Sequence, residues 1–197
     1  MNRLVEVSLS FILLLVLGMT MLTFQGCGEY RKCTFHSGGN TRYSFEYPST
    51  YRKESDDSAS QYFTSVFLWL PGRKGATFLA NPSIAVMITF PSAIEINAKA
   101  SLESDLDNGM NLQEFQLLER SEIIVSGIQA EQIVFSWLMT SEASSFEPQI
   151  SYIWSGRKVY FNYEGEIWIL TLKSTANAIV QANADFNHFL QTFRILE

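Results

Sequence analysis

Tyr43, Phe45 and Tyr47 alternate with polar residues over 42–47. That period of two puts one set of side chains on one face of a strand. Pro48 ends the run, because proline cannot donate to a ladder. Over 61–70 and 84–90 the alternation gives way to nearly continuous apolar residues, the pattern of strands covered on both faces. Ala98, Leu102, Leu106 and Met110 then recur every four residues, with Glu103, Asp105 and Asp107 on the other side. This predicts a surface helix with a narrow apolar stripe and a solvated acidic face. Two strand-rich runs, 115–125 and 128–138, flank Ser126-Gly127 and predict a hairpin. A meander follows over 150–154, 158–163 and 166–172, with turns at Ser155-Gly156 and Glu164-Gly165. The last element, 175–193, carries Ile179, Ala182, Phe186, Phe189, Leu190 and Phe193 at spacings of three and four. It predicts a helix that is stable only when its aromatic face docks on the sheet. The order is strands, helix, strands, helix. The fold class is therefore α+β, a largely antiparallel β-sheet covered by helices on both faces.

The first residues have a different pattern. Arg3 precedes an apolar run from Leu9 to Leu17, the length of a signal h-region and short of the ~20 residues that span a bilayer. Counting on to Phe24 brings an uncleaved anchor within reach. Phe24-Gln25-Gly26-Cys27 then resembles a bacterial lipobox, matching at Gly26 and Cys27 and departing at Phe24 and Gln25. Two readings stand for Cys27: diacylation on sulfur as the new N-terminus, which is favoured by its place at the end of the hydrophobic segment, or pairing with Cys33 outside the cytoplasm. The expected organisation is a lipoprotein-type signal peptide over 1–26, a flexible tether over 27–41 that holds His36, and a domain over 42–197.

Charge narrows the partners. The chain of 197 residues has a net charge of −6, and its lysines and arginines are scattered, gathered into nothing longer than Arg-Lys pairs such as Arg31-Lys32 just after the hydrophobic N-terminus. This lacks the basic footprint that nucleic acid requires, so no nucleic-acid partner is expected. Two cysteines and two histidines supply no metal-ligand spacing, and the acidic residues at 103–107 do not complete a calcium loop. No catalytic residue, metal or cofactor is assigned. His188, at the edge of the last helix's apolar stripe, reads as a partly packed histidine. Glu164 and Glu166 read as hairpin residues around a turn glycine. Among Trp69, Trp137, Trp154 and Trp168 the reading is chiefly core, with surface recognition open for one of them. The loop over 71–82, with Arg73, Lys74, Phe78 and Leu79, reads chiefly as a linker and otherwise as a partner contact.

The chain resembles the PsbP-like family, small extracytoplasmic α/β/α sandwich domains that occur in photosynthetic membranes and as bacterial lipoproteins. The resemblance is carried by Tyr43-Ser-Phe-Glu-Tyr-Pro-Ser-Thr-Tyr51, Gly127-Ile-Gln-Ala130, Val159-Tyr-Phe161 with Ile167-Trp168, and Phe189-Leu-Gln-Thr-Phe193. It implies a non-catalytic role in assembling or stabilising membrane complexes. Three functions follow, in order of preference. The first is a membrane-tethered extracytoplasmic binding or complex-assembly domain with a protein partner, lipid-anchored at the outer face of the bacterial cell membrane (at the outer membrane if the source has one). The second is a carrier of a small apolar molecule or lipid in a sheet-helix cavity, and the third an enzyme of unknown class. Converging polar groups in a pocket would favour the carrier or the enzyme.

Overall fold

The computed structural model describes residues 29–37, 41–60, 63–70, 81–90, 97–140 and 151–196. Seven strands form one antiparallel sheet in the order β3-β4-β5-β9-β8-β7-β6. They are β3 (Arg52–Ser60), β4 (Phe63–Trp69), β5 (Ser83–Thr89), β6 (Gln116–Val125), β7 (Ile128–Thr140), β8 (Ser151–Tyr163) and β9 (Glu166–Thr175). A second, three-stranded sheet has the order β1 (Tyr30–His36), β2 (Arg42–Pro48), β10 (Arg194–Leu196). Among the described residues there are two helices, α1 (Ala98–Gly109) and α2 (Ile179–Thr192). The chain leaves β5 in the middle of the large sheet and passes through α1 to β6 at the far edge. It then returns by hairpins through β7 and β8 to β9, which pairs with β5.

The two faces of the large sheet carry separate cores because strand side chains alternate. On one face Val159, Phe161, Trp168, Leu170 and Leu172 meet Tyr43 and Phe45 of β2 and Ala182, Phe186 and Phe189 of α2. On the other, Tyr160, Ile167, Ile169, Ile133 and Phe135 meet Ala98 and Leu102 of α1. The predicted stripe of the last helix is the buried one, with Phe186, Phe189 and Phe193 fully enclosed. Phe193 leaves the helix with φ −63° and ψ 126°, which turns the chain directly into β10.

Local chemistry fixes the element ends. Asn97 Oδ1 accepts the Ala100 N–H at 2.8 Å and so caps α1. Asn162 Oδ1 of β8 accepts the Ala98 N–H at 2.9 Å, which ties the same helix end to the sheet. Thr192 Oγ1 accepts the Glu46 N–H at 3.1 Å and joins the end of α2 to β2. Both tight hairpins use a pair of positive-φ residues, Ser126 (53°) with Gly127 (81°) and Glu164 (47°) with Gly165 (79°). That geometry matches the right-handed twist of the flanking strands, and glycine adopts it without strain.

Several expectations are corrected. Residues 30–36, expected in the flexible tether, form β1 along the whole of β2, from Tyr30 opposite Pro48 to His36 opposite Arg42. Half-buried Cys33 and Phe35 pack on the larger core. Residues 52–60, for which the sequence pattern predicts no element, form the edge strand β3, held by its ladder with β4. No turn interrupts β8: Gly156 lies opposite Phe135 inside the strand. Coverage of the large sheet is also incomplete, since Phe67 and Met87, diagonal neighbours on β4 and β5, are 45% and 37% exposed.

Candidate functional site

A semi-open cavity of about 200 Å³ lies between the end of α1 and the sheet, on the face opposite α2. Three aromatic rings form a row along it. Phe115 follows the turn after α1, and Phe135 and Trp137 project from the same face of β7. The ring centroids are 5.8 Å apart between Phe115 and Phe135 and 5.5 Å between Phe135 and Trp137. Trp154 of β8 stacks on Trp137 at 5.9 Å and is itself buried.

Two glycines allow these positions. A Cβ on Gly156 would stand 2.7 Å from Phe135 Cζ, and one on Gly109 would stand 2.7 Å from Phe115 Cε2. Neither separation is compatible with van der Waals packing, so each ring lies where a side chain would otherwise be.

The polar lining comes from α1, β8 and β9. Lys158 Nζ and Tyr160 Oη both donate to Asp105 Oδ2, each at 2.6 Å. Burial, and after it the Asp105 carboxylate, pushes the Tyr160 phenol far above its usual range, so it is a permanent donor. Lys173 of β9 completes the lining. It is solvent-accessible, and no described residue accepts a hydrogen bond from its ammonium. The surrounding protein, and next the positive charge of Lys158, lower its pKa against the opposing pull of Asp105. The expected solvated acidic face is thereby corrected. Asp105 is turned to the sheet, and Glu103 bridges with Arg120 Nη2 at 2.9 Å in an exposed pair of small energetic weight.

The residues singled out in the sequence lie elsewhere. Cys27 and most of the loop at 71–82 fall outside the described residues. The Cys33 thiol is pushed up to about 11, by burial against the opposing Lys53, so it stays protonated and a poor nucleophile at neutral pH. His36 is exposed on β1. His188 is half-buried on α2, with the Tyr30 ring packed against it, tilted by 30°, at a centroid distance of 3.7 Å and Glu46 Oε2 at 3.0 Å from Nε2. Glu166 is buried and accepts from Ser37 Oγ at 2.7 Å, so it fastens the end of β1 as well as flanking its hairpin. Of the four tryptophans, Trp137 lines the cavity. Among the described residues no three His, Cys, Asp or Glu side chains stand close enough to share a metal ion, and no helix is long and apolar enough to cross a membrane.

Asp185 is a second buried acid, on the α2 side. It accepts from Tyr51 Oη at 3.2 Å and from Gln181 Nε2 at 2.8 Å. Burial nevertheless raises its pKa, partly offset by Gln181, Tyr51 and His188. A raised folded-state pKa favours the protonated form. The stability it supplies is complete below the unfolded value of about 3.9 and is lost as pH rises through the folded value. The difference in thermal midpoint between wild type and Asp185→Asn should therefore move in favour of wild type between neutral pH and about pH 3. Parallel curves over that range would contradict the assignment.

Sequence reasoning missed Lys158, Lys173, Phe135 and the role of Asp105. The available signal was a lysine at an inward position of an otherwise apolar strand, as at Lys173 after Ile167, Ile169 and Thr171.

No protein-family description matches the chain. No curated protein matches it either. Solved structures do. LpqN of Mycobacterium tuberculosis, described as involved in cell envelope biogenesis, superposes with a TM-score of 0.53 at 15% identity, over 86% of this chain and 92% of that one. Cyanobacterial PsbP (CyanoP) from Synechocystis sp. PCC 6803 superposes with a TM-score of 0.51 at 12% identity, over 88% of this chain and 96% of that one. At such identities the likeness concerns architecture, and sites are grafted onto architectures independently. Two helices packed on opposite faces of an antiparallel sheet, shared almost end to end with CyanoP, give this chain a PsbP-like fold.

Proposed function

We propose that this chain is a non-enzymatic binding domain, held by acyl chains on Cys27 at the outer face of the bacterial cytoplasmic membrane, or at the outer membrane where the source has one. The observation that carries the binding role is the cavity beneath α1. Its aromatic row and convergent Asp105, Lys158 and Lys173 are the mixture of apolar surface and few polar groups that ligand sites use. A catalytic reading has less support. Acid–base work needs a group within reach of the bound molecule, and His188 sits on the far side of the large sheet in contact with Tyr30 and Glu46. The envelope setting is in keeping with the involvement of LpqN in cell envelope biogenesis.

The anchor rests on the hydrophobic segment that ends at Gly26-Cys27. Two acyl chains on one residue suffice for stable attachment where one gives only marginal binding. A protein partner is the second reading, favoured by Phe67 and Met87, which stand exposed side by side on the same face as the cavity.

Fractionation tests the anchor. Cys27→Ala should move the protein from the membrane fraction to the soluble or unprocessed pool, and the wild-type N-terminal peptide should carry the mass of its acyl chains. Membrane retention unchanged by the substitution, with an unmodified wild-type peptide, would refute lipidation.

A further inference from the structure

We infer that the cavity beneath α1 takes a small anion with a flat apolar body, a carboxylate whose charge is met by Lys173. This rests on the binding role proposed above and specifies its ligand class. The argument begins with charge. Asp105 is committed to Lys158 and Tyr160, both 2.6 Å away. Three charged groups line the cavity, and pairing Asp105 with Lys158 leaves the ammonium of Lys173 without a counter-ion among the described residues. An exposed cation at the edge of the cavity, next to a second cation, is stabilised by an anion that can approach it. The rest of the wall supplies the complement. Phe115, Phe135 and Trp137 form the apolar row, and the glycines beneath the first two keep the space open. Flat rings favour an aromatic or planar body stacked on them.

Size restricts the ligand further. About 200 Å³ is below the ~300–1,000 Å³ of pockets that enclose drug-sized molecules, so the ligand is small. A second hollow of about 220 Å³ lies at the other end of α1, lined by Lys99, Glu122, Glu131 and Tyr160 among others. Its two carboxylates disfavour an anion there.

The test uses phenylacetate and its neutral isostere phenylacetamide, titrated by calorimetry into the full chain held in lipid nanodiscs, with empty nanodiscs as the blank. Phenylacetate should bind at least about tenfold more tightly than phenylacetamide, the difference expected of one charge-assisted hydrogen bond. Lys173→Met should remove that difference, weakening phenylacetate far more than phenylacetamide, while leaving the thermal midpoint unchanged. Equal affinity of the two probes for wild type would overturn the assignment of an anion and leave a binding cavity. Failure of both probes to bind would overturn the cavity's binding role with it. A preference for phenylacetate that survives Lys173→Met would overturn the role of Lys173.

Discussion

Replacing Phe186 by alanine lowers the stability of the domain by about 3–5 kcal/mol, the range for deleting a fully buried phenylalanine. Phe186 is 0% exposed and stacks on Phe189 at a centroid distance of 5.6 Å. It also carries a charge on its ring: the Arg157 guanidinium lies 5.1 Å above the centroid. Among the described residues the hydrogen bonds of Arg157 go to neutral oxygens, of Gln132 at 2.7 Å, Asn187 at 2.8 Å and Asn183 at 3.3 Å, with the Glu119 carboxylate acting from further off. Removing the ring therefore leaves a cavity and strips a crowded cation of its aromatic face, which places the expected loss in the upper half of the range. Denaturant unfolding of the full chain measures it. A loss under about 1 kcal/mol would mean that α2 does not dock through this stripe.

Leu102→Ala has the second largest expected effect, about 2–5 kcal/mol. Leu102 is the fully buried anchor of α1, packed with Ile133, Phe135, Tyr160, Ile167 and Ile169 on the opposite face of the sheet. Only Ala98 and half-buried Leu106 share its narrow stripe, so few other contacts replace the lost one. The consequence is also local. Asp105 lies three residues further along α1 and holds Lys158 and Tyr160, so a loosened helix should raise the hydrogen-exchange rate of α1 amides well before those of α2. Equal acceleration in both helices would contradict the division of the interior into two cores.

What could be read in the sequence was what its own burial enforces. The stripe Phe186, Phe189, Phe193 and the hairpins at Ser126-Gly127 and Glu164-Gly165 are visible because apolar spacing and turn chemistry are local. The strands β1, β3 and β10 were not visible. β1 and β3 are edge strands held by ladder hydrogen bonds, and β1 buries only Cys33 and Phe35 in part, too short an alternation to read. β10 is three residues long and exists because Phe193 turns the chain against β2. Gly156 suggested a turn and instead makes room for a ring from the neighbouring strand, a requirement that lies 21 positions away at Phe135 in the chain and opposite it in space. The cavity was illegible for the same reason. Lys158 and Lys173 become neighbours only when β8 and β9 pair, and Asp105 joins them only when α1 crosses the sheet.

Selective acylation of lysines, read by mass spectrometry on the full chain, addresses the site itself. A lysine whose pKa is lowered has more free amine at neutral pH, so Lys173 should react with acetic anhydride faster than the side chain of free Nα-acetyl-lysine. Phenylacetate should then slow Lys173 alone. Labelling of Lys173 that phenylacetate leaves untouched, or slows no more than it slows Lys32, would contradict the placement of an anion beneath α1.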